Sequence, residues 1–292
     1  LHLDDGATFS GANGQSHSVG GSFFADTGSV FSAASSTFTF TAATSGQGIV
    51  KDDPGTIDFE QLSFTGVDGG WNITADLSVA GNMTVATGTV SGTGDITLTD
   101  GQLTGEGTLS MGGSSVVTLE STNTLGGSRG WTFNDLTLGD GATTSTTTRA
   151  DTATTTILGT LTISSAHFLD AGSSQWDLAG SGSVFVENGT FLEDTSTVTY
   201  SGGGGASVLS TTYHTLRLAG QSGTPTYTFG STGVLIENDL IVAGSVPTVA
   251  DLDGNDPVVA VRGDVLIGTN GDLTGSASTE LTVSGDWQNS GT

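Results

Sequence analysis

The sequence predicts an all-β chain wound as a parallel β-helix, or β-solenoid, and three observations lead there. First, its 292 residues include 47 Gly and only 4 Pro, with Thr, Ser and Gly standing where a helical protein would place Ala, Leu, Lys and Glu. β-Branched side chains suit a pleated surface, and Gly supplies the positive φ of tight turns. No window sustains apolar residues at i, i+3, i+4 and i+7, so helix is not expected. Second, apolar-x-apolar strand cores followed closely by Gly recur roughly 13 to 27 residues apart, about one solenoid coil each. Third, a longer sentence is repeated. Phe59-Glu60-Gln61-Leu62-Ser63-Phe64-Thr65-Gly66 returns as Phe133-Asn134-Asp135-Leu136-Thr137-Leu138-Gly139 and again as Tyr213-His214-Thr215-Leu216-Arg217-Leu218-Ala219-Gly220.

Taken in order, residues 1–37 read as a partial long repeat, followed by repeats over 38–116, 117–197 and 198–292. Each full repeat opens on an alternating strand: Phe38-Thr39-Phe40, Val117-Thr118-Leu119 or Val198-Thr199-Tyr200. The central Leu of the repeated sentence steps from 62 to 136 to 216, and a third landmark steps from Leu77 to Leu161 to Leu240, so the period is about 80 residues. Within it lie the Gly-closed cores, among them Leu77 to Gly81, Leu109 to Gly112, Leu240 to Gly244, Val265 to Gly268 and Leu281 to Gly285. Some 12 to 14 coils are expected, about four to a long repeat. In such an array each unit buries its apolar face against its neighbours, so Leu62, Leu77, Leu136, Leu161, Leu216 and Leu240 are expected in equivalent positions of one core. Tandem β-sandwich modules are the alternative, at about seven strands per 90 to 100 residues. The lack of any linker or composition break at the repeat boundaries favours one continuous array over 1–292.

Thirty Asp and Glu face five Lys and Arg, a formal net charge of −25. A surface of that sign repels phosphates, which excludes nucleic acid and anionic lipid as expected partners and favours cations. It also keeps an apolar-cored array soluble and separate from its copies. Cysteine is absent, so neither a disulfide framework nor thiolate chemistry exists. No run of 18 apolar residues is present to span a bilayer as a helix. The chain opens at Leu1 without Met and closes inside another apparent repeat, Leu281 to Trp287. The expectation is a segment of a longer protein, continued by its own polypeptide or by end-to-end self-association through unpaired strand edges.

One stretch has hard-cation ligand spacing. Asp251, Asp253 and Asn255 place oxygens at alternate positions, Gly254 eases the turn and Asp256 adds charge, which makes Ca²⁺ the one cofactor candidate. The stretch departs from the helix-loop-helix calcium pattern: Asp256 stands where that pattern needs Gly, and Arg262 where it needs a bidentate Glu. A solvated acidic turn is the plainer reading. His214 falls at a position of the repeated sentence filled elsewhere by Asn134 and Glu60, so it reads as a polar turn residue. His2, His17 and His167 lack a recognisable nucleophile or acid partner. The five cations, Lys51, Arg129, Arg149, Arg217 and Arg262, are scattered over the repeats rather than gathered for uronate chemistry, so no catalytic residue is assigned. The run Thr143 to Thr148 with Thr154 to Thr156 reads as an exposed loop, since a water-ordering Thr ladder would need one register in every coil. Trp71, Trp131, Trp176 and Trp287 read as buried turn anchors ahead of a sugar-stacking row.

The aromatic-x-x-Leu-x-apolar-x-Gly units, the Gly159 to Ile163 type of strand, and the Cys-free, acidic, Thr/Gly-rich background together resemble the repetitive regions of large bacterial cell-surface and secreted proteins, of the filamentous-haemagglutinin-like adhesin and autotransporter-passenger type. The resemblance implies an extracellular, cell-surface location and a non-catalytic structural role as a stalk or fibre segment. A polysaccharide-binding or polysaccharide-cleaving β-helix, with glycans as partners, is the second expectation.

Overall fold

The computed structural model describes residues 1–291. Among them are 40 strands and no helix, and the strands stack in parallel as a β-solenoid of about 13 turns of about 22 residues. The chain packs as two compact units, one formed by Leu1–Ala153 with Ser164–Phe168 and the other by Thr154–Ile163 with the residues from Leu169 onward.

In the first unit each turn contributes three short strands. The first side stacks Gln47–Lys51, Gly70–Ile73, Thr89–Gly92 and Thr108–Met111. The second stacks Thr56–Phe59, Asp76–Val79, Ile96–Leu98, Val116–Leu119 and Asp135–Leu138. The third stacks Ser16–Val19, Thr37–Phe40, Gln61–Phe64, Met83–Val85 and Leu103–Thr104. The second unit repeats the plan, with Gln175–Leu178, Thr197–Tyr200, Thr215–Leu218, Leu240–Val242 and Val265–Ile267 on one side.

Alternation within strands sorts the side chains, and registers of equal residues line them into columns. Ile57, Leu77, Ile96, Val117 and Leu136 form one inward column, and Phe38, Leu62, Met83, Leu103 and Leu125 another. In the second unit Trp176, Val198, Leu216, Leu240 and Val265 do the same. All of these are buried, and Leu62, Leu77, Leu136, Leu161, Leu216 and Leu240 are each at most 2% exposed. Outward positions carry hydroxyls in register: Ser78, Thr97, Thr118 and Thr137 on the second side, and Ser18, Thr39, Ser63, Thr84 and Thr104 on the third.

The six leucines are inside as expected, but the three copies of the repeated sentence are not stacked equivalents. Leu62 lies on the ninth strand, Leu136 on the twentieth and Leu216 on the thirty-first. Each step is therefore eleven strands, and eleven is not a multiple of the three strands in a turn, so each copy falls on a different side. What the sentence encodes is a corner. Phe59, Phe133 and Tyr213 each close a strand with a buried ring; Glu60, Asn134 and His214 bend the chain; and the next strand begins one residue later.

The acidic residues also have a place in the stack. Asp76 accepts the backbone N–H of Asp95 at 2.9 Å, and Asp95 that of Val116 at 2.7 Å. In the second unit Asp239 accepts from Asp264 at 2.9 Å and Asp264 from Asp286 at 2.8 Å. Each carboxylate satisfies a donor one turn on, a charge-assisted staple where the ladder is broken by a corner.

Candidate functional site

The first unit carries an open groove of about 770 Å³ along its first side. Its floor is made by outward side chains of successive strands: Asn72, Thr89, Ser91 and Thr108, with Asn72 and Ser91 in direct register. The lining also includes Gln47, on the strand paired with Gly70–Ile73, and Val67, 74% exposed, with Asp68, both in the loop that leads into Gly70–Ile73. Glu106 and Arg129 close the rim, where Ser128 donates its hydroxyl to the Glu106 carboxylate and Arg129 Nε donates to the Glu106 carbonyl at 3.0 Å. The recess arises from glycines at the corners below. Gly88 has φ +76°, and a Cβ there would meet the carbonyl oxygens of Gly66 and Gly69 at 2.6 Å. The chain can therefore tuck against Trp71, fully buried beneath the floor, and leave a hollow above. Trp131, a later counterpart, donates Nε1 to the Gly107 carbonyl at 3.0 Å, whereas Trp71 Nε1 and Thr87 Oγ1, both on groove-lining residues, are buried without a hydrogen-bond partner.

A second constellation lies inside the same unit. Ser145–Arg149 is a strand with Ser145, Thr147 and Arg149 turned inward, which corrects the reading of the Thr-rich run as a loop. His167, fully buried, shares a hydrogen bond between Nδ1 and Ser145 Oγ at 2.7 Å and another between Nε2 and Thr147 Oγ1 at 2.8 Å. Burial pushes the imidazole below its ordinary pKa, with Asp140 opposing, so it rests neutral. The Ser–His pair has nucleophile geometry, but Ser145 is only 4% exposed and Thr147, not a carboxylate, orients the ring. As arranged the pair receives no substrate and serves as a hydrogen-bonded interior. Beside it, Arg149 keeps its side chain wholly buried. Its Nη1 donates to Leu125 O at 2.9 Å and to Asp151 at 3.2 Å, and its Nη2 to Ala153 O and to Asp151, each at 3.2 Å. Burial lowers the guanidinium pKa and Asp151 counters it.

The 251–256 stretch forms a self-capped turn. Asp251 ends the strand Thr248–Asp251, where Oδ1 accepts the N–H groups of Asp253 at 3.0 Å and Gly254 at 3.2 Å, and Oδ2 accepts the Thr228 hydroxyl at 3.2 Å. Asn255 donates Nδ2 to Phe229 O at 2.7 Å, and Asp256, at φ 45°, accepts from the Ser276 hydroxyl. The carboxylates of Asp251, Asp253 and Asp256 do not converge on a point. Among the described residues, the group of three or more His, Asp and Glu side chains whose ligand atoms all lie within 4.8 Å of one another is His2, Asp4 and Asp26, a surface trio in which His2 Nε2 meets Asp26 Oδ1 at 2.9 Å.

His214 sits at a corner, as its place in the sentence implies. Trp71, Trp131 and Trp176 are buried anchors, whereas Trp287 is 49% exposed. Sequence reasoning passed over the Ser145–Thr147–His167 cluster. The available signal was spacing: His167 follows Thr147 by 20 residues, close to one turn. No helix among the described residues is long and apolar enough to cross a membrane. No family model, curated protein or solved structure matches the chain.

Proposed function

We propose that this chain is a structural, non-catalytic segment of an extracellular stalk or surface fibre, the role implied by the repetitive surface proteins its sequence resembles. The observation that carries the reading is the inward column Ile57, Leu77, Ile96, Val117, Leu136, five turns deep with no break in register. Such a stack suits stiffness, because every backbone group of a strand is tied to the turns on both sides and each side chain packs on its like. The carboxylate staples at the corners support the same reading. In the second unit the strands Glu280–Val283 and Trp287–Asn289 each pair on one edge only among the described residues; the open edge is suited to strand pairing with a further turn, supplied by more of the same polypeptide or by a second copy. Electron microscopy of purified protein, with light scattering at rising concentration, tests this. Filaments or end-to-end oligomers are the expected result, and particles that stay monomeric throughout would defeat self-assembly.

A further inference from the structure

We propose that the groove over Asn72, Thr89, Ser91 and Thr108 is a binding site for a neutral, hydroxyl-rich glycan chain. The volume, about 770 Å³, lies within the roughly 300–1,000 Å³ of sites that hold small ligands. The floor offers only uncharged groups that both donate and accept. Neighbouring strands in a sheet lie about 4.8 Å apart, so a chain laid across them meets a fresh hydroxyl or amide at each strand, the recurring pattern a polyol can answer. The lining adds Val67, three-quarters exposed, as an apolar patch beside polar groups; a pyranose ring has the matching combination of a C–H face and a hydroxyl rim.

Charge selects among chains of this kind. Asp68 and Glu106 are in the lining, Arg129 is engaged by the Glu106 carbonyl, and the whole chain carries −25, so polyuronates and nucleic acids are repelled. Registered hydroxyls also occur on the second side, at Ser78, Thr97, Thr118 and Thr137, where Ser78 borders a recess of only about 240 Å³; the groove differs in its volume of about 770 Å³ and in the unpartnered polar atoms on Trp71 and Thr87 in its lining. A recess of that volume favours a ligand lying within it over a flat lattice of ordered water. This inference stands apart from the stalk reading: a stalk without a glycan site and a glycan site on a lone monomer are both self-consistent.

The test is titration calorimetry on the 292-residue protein with four neutral probes, cellohexaose, xylohexaose, mannohexaose and maltohexaose, and one anionic probe, a galacturonic acid hexamer. Saturable binding of at least one neutral probe is expected, with none of the anionic one. Thr89→Val and Thr108→Val keep the β-branched shape and remove the hydroxyl. Each should weaken that binding by about tenfold, about 1.4 kcal/mol, and Thr118→Val on the second side should leave it unchanged. Asn72→Asp, which adds charge to the floor, should weaken it without removing any side-chain volume. No saturable heat with any of the four neutral probes would overturn the proposal. So would neutral-probe binding indifferent to all three floor variants, or tighter binding of the galacturonic acid hexamer.

Discussion

The buried pair Arg149 and Asp151 should respond asymmetrically to removal of its two members. Arg149 has no exposed side-chain surface, whereas Asp151 is 20% exposed. In Asp151→Ala the guanidinium keeps its bonds to Leu125 O and Ala153 O but, with no exposed surface of its own, loses the counter-charge beside it. Uncompensated buried charges of this kind cost about 3–5 kcal/mol. In Arg149→Met the charge leaves the interior, the volume is roughly kept, and the Asp151 carboxylate still caps Ala153 N at 2.8 Å with solvent nearby. Replacing a buried ion by an apolar group is often near neutral, so the expected cost is under about 2 kcal/mol, mainly for the Ala153 carbonyl, which loses its Nη2 donor, since Leu125 O keeps the Ala150 N–H at 3.2 Å. Urea denaturation followed by circular dichroism measures both, urea being preferred because guanidinium would screen the pair. Arg149→Met costing as much as Asp151→Ala would refute the argument, since it would mean that the cation stabilises the interior beyond the cost of its burial.

Leu136→Ala should cost about 2–5 kcal/mol through a cavity in a five-turn column, and Thr146→Ala, half-exposed between two inward residues of its strand, should stay within about 0.5 kcal/mol; equal effects in urea melts would mean that inside and outside are misassigned. His167 has a folded pKa below its unfolded value near 6.5, so below that pH the unfolded chain binds the proton more readily and stability falls as pH drops. Asp170 and Asp177, raised by burial, act in the opposite sense at lower pH. His167→Gln should therefore remove part of the loss between about pH 6.5 and 5, and an unchanged profile would show that the ring is not sealed. Calcium at the 251–256 turn must draw the Asp251 carboxylate from two backbone N–H groups, so binding is expected only near the millimolar range of weak extracellular sites. At tenfold excess over Kd this stabilises by about 1.4 kcal/mol, less in Asp253→Ala, and calorimetry without heat would remove the site.

The solenoid was legible in the sequence because its signals are local. A Gly-closed core such as Leu77 to Gly81 announces a strand and a bend within five residues, and counting such cores reaches the right number of turns. The repeated sentence was equally visible, but its copies do not map onto stacked positions. Similar corners impose similar local sequence at any side of the turn, so Leu62 and Leu136 match as words while lying in different columns. The strand Ser145–Arg149 escaped because hydroxyls and a cation occupy inward positions, where alternation normally displays apolar residues; only His167, one turn later, gives those hydroxyls a partner. The groove was invisible for another reason. Its floor residues belong to separate turns, and the hollow depends on how closely Gly66, Gly69 and Gly88 let one corner approach the next.

The corner sentence bears on how a chain of this design changes length. Since the same few residues turn the strand wherever they occur, the instruction is portable: it specifies a bend and the phase of the following strand, with no address on the cross-section. Splices that add or delete strands in threes return every later residue to its old side, so the interior columns and corner staples rejoin in phase. A splice of eleven strands, the distance at which the words match best, rotates everything downstream by one side. Recombination guided by sequence identity would thus favour the joints that scramble the columns, and the drift among its three copies, Phe-Glu-Gln, Phe-Asn-Asp and Tyr-His-Thr, lowers the identity available for such exchange while sparing the bend.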